Sequence, residues 1–244
     1  MSAVQGRSLP TTLALLAKHW TPGQTKTRLA STIGPHAAAE IQKRCLGFLL
    51  ERLNACGNQR ILYFSPAHQQ NDFRCLAGEA WKVAPQVGLD LGTRIAHCFR
   101  EMSSGLHERV IVIGSDCPTV SPTTIQLADR ALEQHDVVIG PSADGGYYLI
   151  GMRRFESAVF SDIAWSTPQV FDQTVAQVRR SGLSLQLLET QSDIDDWASL
   201  QVVIETLKKS GDAQIVELSQ QLCALTEEAT ARPVTGDSNV SNSG

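Results

Sequence analysis

The chain lacks most of the features that would settle its class directly. Its six cysteines (Cys45, Cys56, Cys75, Cys98, Cys117 and Cys223) include no Cys-x-x-Cys pair, so a zinc knuckle or a disulfide framework is not expected; they read as scattered, reduced thiols. No long apolar run is present. The stretch from Leu13 to Ala17, preceded by a lone Arg7, is too short for a signal h-region or a membrane span. A cytoplasmic protein with no membrane partner is expected. Basic residues are not in excess: the formal net charge is −4, whereas general nucleic-acid binding requires a basic footprint, so no nucleic-acid partner is expected. The histidines (19, 36, 68, 97, 107 and 135) show no ligand-like spacing. The P-loop pattern, the Gly-x-Gly-x-x-Gly fingerprint and the Gly-x-Ser-x-Gly elbow are all missing, and no internal repeat is visible.

What is present reads as one ordinary globular domain. The 244 residues are 42% hydrophobic and 19% charged, within the usual range for a soluble fold. Short apolar runs alternate with segments of helical spacing. Strands are expected at 12–17, 60–65, 81–84, 109–114, 135–140, 147–150 and 183–188, and helices at 35–55, 90–103, 168–180 and 196–209, with another opening at Ser121 and Pro122. Asp90 and Ser121 sit at N-cap positions and Pro122 at a first helical position. The alternation argues for a mostly parallel, doubly wound sheet. The back-to-back strands around Asp144-Gly145-Gly146 add one antiparallel excursion. A short arm at 1–11, a domain at 12–229 and a disordered tail at 230–244 complete the expected organisation.

The most informative element is the strand Arg109-Val-Ile-Val-Ile-Gly114, which stops at Ser115-Asp116-Cys117-Pro118. Open α/β sheets bind ligands beyond the carboxyl ends of their strands, so Asp116 is expected to face a crevice. The loop after the first strand carries Lys18, Gly23, Lys26 and Arg28, a plausible phosphate clamp in which Arg offers a bidentate fork and Lys a mobile point charge. Magnesium usually takes one or two carboxylates and fills its remaining sites with phosphate and water. Asp116 with a second Asp meets that need; Asp144 is the first candidate, and Asp193 and Asp195 are the others. Asp144 is equally well placed to form a hairpin turn, since Asp-Gly is a strong turn signal. Gly145 and Gly146 allow close backbone approach to a ligand. Of Tyr147 and Tyr148, one is expected to line the crevice while the other packs. Ser166 or Thr167 is expected to cap a helix, with Trp165 bordering an acceptor pocket.

In order along the chain, residues 17–29 (Ala-Lys-His-Trp-Thr-Pro-Gly-Gln-Thr-Lys-Thr-Arg-Leu), Leu91-Gly-x-Arg94, Gly114-Ser-Asp-Cys-Pro118, the Asp-Gly-Gly-Tyr-Tyr unit ending at Gly151 and Trp165-Ser-Thr167 together resemble the GT-A-like transferases grouped as domain-of-unknown-function family 2064. The resemblance covers about Leu13 to Leu200. It implies a three-layer α/β/α nucleotide-diphospho-sugar transferase fold, with Mg2+ or Mn2+ as cofactor. Lys26 and Arg28 would contact nucleotide phosphates, with Lys18, Gly23, Arg94, Ser115, Gly145 and Gly146 completing the nucleotide site. By the resemblance Asp116 would hold the metal and the Asp144 loop would border donor or acceptor; the residues themselves make Asp144 the expected second metal ligand. The Lys-Thr-Arg-Leu element is also similar to that of phospholactate guanylyltransferases. Glycosyltransferases of this fold usually carry Asp-x-Asp, whereas a single Asp stands here. The leading expectation is metal-dependent glycosyl transfer from a nucleotide-diphospho-sugar to a small acceptor, assisted by Lys26 and Arg28, with Asp144 as acceptor base. Nucleotidyl transfer from an NTP is the alternative, and a non-catalytic nucleotide-sensing module is a third reading.

Overall fold

The computed structural model describes residues 10–102 and 109–231. The order of elements is β1 (Thr11–Lys18), α1 (Thr27–Ile33), α2 (Pro35–Arg52), β2 (Gln59–Ser65), α3 (Gln70–Ala77), β3 (Lys82–Pro85), α4 (Leu91–Met102), β4 (Arg109–Gly114), α5 (Pro122–Gln134), β5 (Val137–Pro141), β6 (Tyr147–Met152), α6 (Val170–Arg180), β7 (Leu185–Leu187), α7 (Trp197–Lys208) and α8 (Ala213–Ala231). The strands form one seven-stranded sheet in the order β3-β2-β1-β4-β6-β5-β7. All pairings are parallel except those of β6, which runs antiparallel to both β4 and β5. The single antiparallel excursion expected from the sequence is therefore present.

The central strands β1 and β4 are apolar at successive positions because both faces of the sheet are covered. Leu13 and Leu15 of β1, with Ile111 and Ile113 of β4, enter one core with Leu46, Leu49, Phe73 and Ala128 from α2, α3 and α5. Ala14, Leu16, Val110 and Val112 enter the opposite core with Ile95, Phe99 and Val178 from α4 and α6. Each fully buried Leu or Ile contributes roughly 1.5–3 kcal/mol, so slipping either strand by one residue gains nothing, and register falls to the connections. A third cluster joins α1 and α2 to α7 and α8 through Leu29, Ile33, Ile41, Leu200, Val203, Ile204, Leu218 and Leu222. The architecture is a three-layer α/β/α domain with a mostly parallel mixed sheet.

Several local expectations hold. Asp90 Oδ1 accepts from Thr93 N at 2.7 Å ahead of α4, and Ser121 Oγ accepts from Thr124 N at 3.1 Å with Pro122 opening α5. Others need correction. The segment 18–28 is not loop throughout: α1 begins at Thr27, so Arg28 lies in its first turn. The cap ahead of α6 is Gln169, without a side-chain cap bond, rather than Ser166 or Thr167; Thr167 instead donates to Ala164 O at 2.7 Å. Thr11, expected in a terminal arm, starts β1, and Thr230 ends within α8. The rest of the expected arm (1–9) and tail (232–244), with Ser103 and His107, lie outside the described residues. Among the described residues no helix is long and apolar enough to cross a membrane.

Candidate active site

The sheet has a switch point at β1 and β4. From β1 the chain winds outward through β2 to β3, and from β4 it builds the other half. Crevices in open α/β sheets lie at such points, beyond the carboxyl ends of the strands. The segment after β1 supplies Lys26 and the segment after β4 supplies Asp116, and the two side chains meet. Lys26 Nζ donates to Asp116 Oδ1 at 2.6 Å and also to the carbonyl oxygen of Ile194. The Lys26 side chain is 7% exposed, whereas that of Asp116 is 52% exposed. Lys26 itself has left-handed backbone angles, φ 49° and ψ 44°, at the N-cap of α1.

The residues behind Asp116 are fixed by buried bonds. Gln42 of α2 is buried and donates from Nε2 to Ser115 Oγ at 3.1 Å. Ser115 is buried too, so its hydroxyl braces Asp116 from behind. Cys117 Sγ lies 3.2 Å from Thr119 Oγ1 and 3.3 Å from Ser192 O, and burial pushes its thiol up to about 12. A thiol held protonated is no nucleophile, which makes Cys117 a packing residue.

A segment that follows β7 carries a further carboxylate into the site. Leu188 N bonds to Ile139 O at 2.9 Å, Gln191 N to Pro141 O at 3.1 Å and Ile194 N to Asp116 O at 2.8 Å, so residues 188–194 run from the end of β5 to the Asp116 loop. Asp193 rides on this segment. Burial, then the charge of Asp144, push its carboxyl up to about 6, with Lys26 opposing the rise and Asp116 adding to it. Asp193, Asp144, Asp116 and Lys26 thus share one electrostatic neighbourhood. Sequence reasoning ranked Asp193 behind Asp144; the available signal was the Ser192-Asp-Ile-Asp-Asp196 cluster after a strand. Of that cluster, Asp195 pairs with Arg28 at 2.8 Å and Asp196 caps α7. Among the described residues no group of three or more His, Cys, Asp or Glu is disposed to hold a metal ion.

Asp144 occupies the hairpin turn between β5 and β6. Its Oδ1 accepts from Gly146 N at 2.9 Å and from the Ser142 hydroxyl, so the turn role is realised, and the side chain remains exposed. Gly145 has φ 89°, and an added Cβ would lie 2.2 Å from Pro168 O; its own carbonyl accepts from Phe171 N at 2.9 Å. Residues 165–168 therefore lie against this turn. They also lie against α4, because a Cβ on Gly92 would fall 2.1 Å from the Trp165 indole. Two sequence motifs that looked separate form one contact. Both tyrosines pack, Tyr148 in one core and Tyr147 against the other, and burial raises both phenols. The expectation that one lines the crevice is corrected.

The remaining candidates are spread around this rim. Arg28 is 76% exposed and, with Ser31, Thr32, Asp196 and Trp197, lines an open cleft of about 460 Å3. Lys18 is exposed at the end of β1, and Gly23 is exposed with φ 77°. Arg94 is engaged elsewhere: Nε donates to Gly88 O at 3.0 Å and Nη1 to Gln86 Oε1 at 3.3 Å. It pins the loop 86–90, whose Gln86 in turn donates to Ala17 O at 2.9 Å.

Comparison with known proteins agrees with this fold. A model of the family described as "Uncharacterized protein conserved in bacteria (DUF2064)" matches residues 49–167. A crystal structure of a "putative nucleotide-diphospho-sugar transferase" from Desulfovibrio desulfuricans G20 is 31% identical, with a TM-score of 0.81, covering 90% of this chain and 97% of its own. A nucleotidyl transferase from Methanothermobacter thermautotroptrophicus is 15% identical with a TM-score of 0.55, covering 82% of this chain and 99% of its own. A cytidylyltransferase from Leptospira borgpetersenii serovar Hardjo-bovis is 12% identical with a TM-score of 0.52, covering 93% and 99%. The last two share the fold alone. No curated protein matches the sequence. On the strength of the Desulfovibrio relative and the family match, the chain belongs to the DUF2064 family and is built on the nucleotide-diphospho-sugar transferase fold.

Proposed function

We propose that the protein is a cytoplasmic transferase using a nucleotide-activated donor, and that it moves a glycosyl group from a nucleotide-diphospho-sugar to a small acceptor. The observation that carries this reading is the meeting of Lys26 and Asp116 at the switch point of the sheet. Half-exposed Asp116, with the carboxylate of Asp144 or Asp193 in the same electrostatic neighbourhood, offers two hard oxygen ligands beside a cation suited to phosphate. This set fits Mg2+ or Mn2+, which need few protein ligands when phosphates supply the rest. Asp116 and either Asp144 or Asp193 would hold the ion; when bound, such an ion neutralises charge on a leaving diphosphate.

The chain's own residues do the rest. Lys26 and Arg28 bind the phosphates, Arg28 exchanging Asp195 for a phosphate edge of the same fork geometry. Preorganised cations beside a leaving group stabilise it as charge develops. Gly145 and Gly146 bring backbone close to the donor, Lys18, Gly23 and Ser115 shape the nucleotide side, and Arg94 fixes the neighbouring loop. Asp144 takes the proton from the acceptor hydroxyl. The Arg28–Trp197 cleft provides room beside the phosphates for the acceptor.

Nucleotidyl transfer is the second reading. It is favoured by one observation: the strand end carries a lone Asp116, flanked by a buried Ser115 and a buried Cys117, with no Asp-x-Asp. The released product separates the two. Incubation with a panel of nucleotide sugars and NTPs plus Mg2+ or Mn2+ is expected to release a nucleoside diphosphate; pyrophosphate would assign nucleotidyl transfer. Asp116→Asn is expected to reduce turnover by about 10³-fold or more with the fold intact. Absence of turnover in the parent across the panel would overturn the enzyme reading in favour of nucleotide sensing.

A further inference from the structure

The cation position beside Asp116 is taken by a side chain of the protein itself. The Lys26 ammonium is inserted between Asp116 Oδ1 and the Ile194 carbonyl, and its side chain is nearly buried although its partner is half exposed. The placement is built in. It starts from a left-handed backbone at the N-cap of α1, and α1 is anchored through Leu29 and Ile33 to α7 and α8. The carbonyl that shares the ammonium belongs to the segment that bonds back to the Asp116 backbone.

We infer that Lys26 is the resident cation of this site, and that the site admits a divalent ion only as a phosphate chelate. The inference rests on the metal-assisted reading above. An ammonium and a divalent ion cannot share one carboxylate oxygen closely, because like charges a few ångströms apart repel strongly wherever water is thinned out. A bare ion on Asp116 Oδ2 would stand within a few ångströms of the ammonium on Oδ1, and tight binding would mean driving Lys26 back to a single carbonyl partner. A chelated di- or triphosphate brings its own oxygens. Lys26 can then pass from carboxylate to phosphate while Asp116 passes from ammonium to metal, and every charge keeps a counter-charge throughout. Arg28 and Asp195, at 2.8 Å on the adjoining turn, are placed for the same exchange.

The test uses Mn2+ alone, inorganic pyrophosphate alone and the two together, so that no nucleobase needs to be known. The readouts are equilibrium dialysis for Mn2+ and the thermal midpoint of the full chain, since a ligand that binds only the native form raises it. In the parent, Mn2+ alone is expected to bind weakly and leave the midpoint unmoved at concentrations where Mn2+–pyrophosphate raises it. Lys26→Met is expected to bind Mn2+ alone about tenfold or more tightly than the parent, by removal of the competing charge, and to lose the shift with the chelate. Lys26→Arg, which retains a cation, should not gain Mn2+ affinity. A parent that binds Mn2+ alone as tightly as Lys26→Met overturns the inference while leaving the metal reading intact. If Lys26→Met does not fold, the parent decides: equal shifts with Mn2+ alone and with the chelate overturn it. No response of any protein to Mn2+ or to the chelate overturns both the inference and the metal-assisted reading.

Discussion

At one rim of the sheet Lys26 faces Asp116, and at the other Arg109 faces Asp129. The second pair is closed. Arg109 is 3% exposed and grips the carboxylate with both arms, Nε to Oδ1 at 2.8 Å and Nη2 to Oδ2 at 3.2 Å, while the Thr11 hydroxyl donates to the same carboxylate. It ties the starts of β1 and β4 to α5. The first pair is open: a point charge meets one oxygen of a half-exposed carboxylate. A planar fork in a buried setting fixes geometry, whereas an ammonium on a flexible stem can change partners. Position within the sheet decides which is useful. The amino ends of these strands are tied down by the Arg109–Asp129 pair, and the carboxyl ends are where open α/β sheets bind ligands.

The sharpest way to break this contrast is to remove one partner from each pair. Arg109→Met strips Asp129, whose side chain is 32% exposed, of its bidentate partner and is expected to cost about 2–3 kcal/mol, below the loss for a fully buried pair. Lys26→Met leaves behind a half-exposed carboxylate that water can solvate, and should cost only about 1 kcal/mol. Urea unfolding of both variants measures this, and equal losses would abolish the distinction. Turnover of folded protein should show the reverse, retained in Arg109→Met and lost in Lys26→Met.

A smaller effect is expected at the segment over the functional rim. Gly92→Ala places a Cβ 2.1 Å from the Trp165 ring, and forced overpacking of this kind costs roughly 1–3 kcal/mol. A lowered thermal midpoint with a shifted tryptophan emission is the expected outcome; unchanged emission would show that residues 165–168 are not held by α4.

The smallest effect is a pH slope. Asp193 has an ordinary value of 3.8 and a folded value of about 6, so the native state binds more protons than the unfolded one between those values. Stability therefore falls as pH rises from about 4 to about 6 and is flat above. In metal-free buffer, thermal midpoints of Asp193→Asn should lack this component, and an unchanged slope would assign it elsewhere.

Much of the fold was legible because its signals are local. The run Val110 to Ile113 stops at a polar residue, Asp90 and Ser121 start helices by capping, and Asp144-Gly145 turns a hairpin. The elements missed were those whose stability is tertiary. Helix α1 has seven residues and no side-chain cap, and it persists because Leu29 and Ile33 are buried against α7 and α8; a helix that short does not form by propensity alone. The chain from Lys18 to Arg28 read as a polar loop for that reason. At the site, Lys26 and Asp116 were legible from strand-end logic. Asp193 was named only behind Asp144, and the inward turn of Tyr147 was not legible, because the position of each is set by packing with distant parts of the chain.

Those distant partners also order events during synthesis. The ammonium of Lys26 is held by Ile194, the guanidinium of Arg28 by Asp195, and the helix between and beyond them by Leu200, Val203 and Leu218. A nascent chain can pair β1 with β2 early, yet Lys26 and Arg28 lack these partners until the segment carrying Ile194 and Asp195 has been made. Domains fold as units, and here the corner where Lys26 meets Asp116 is completed by a segment 168 residues further along, so a product stalled before that segment would carry a partial sheet with the corner unformed.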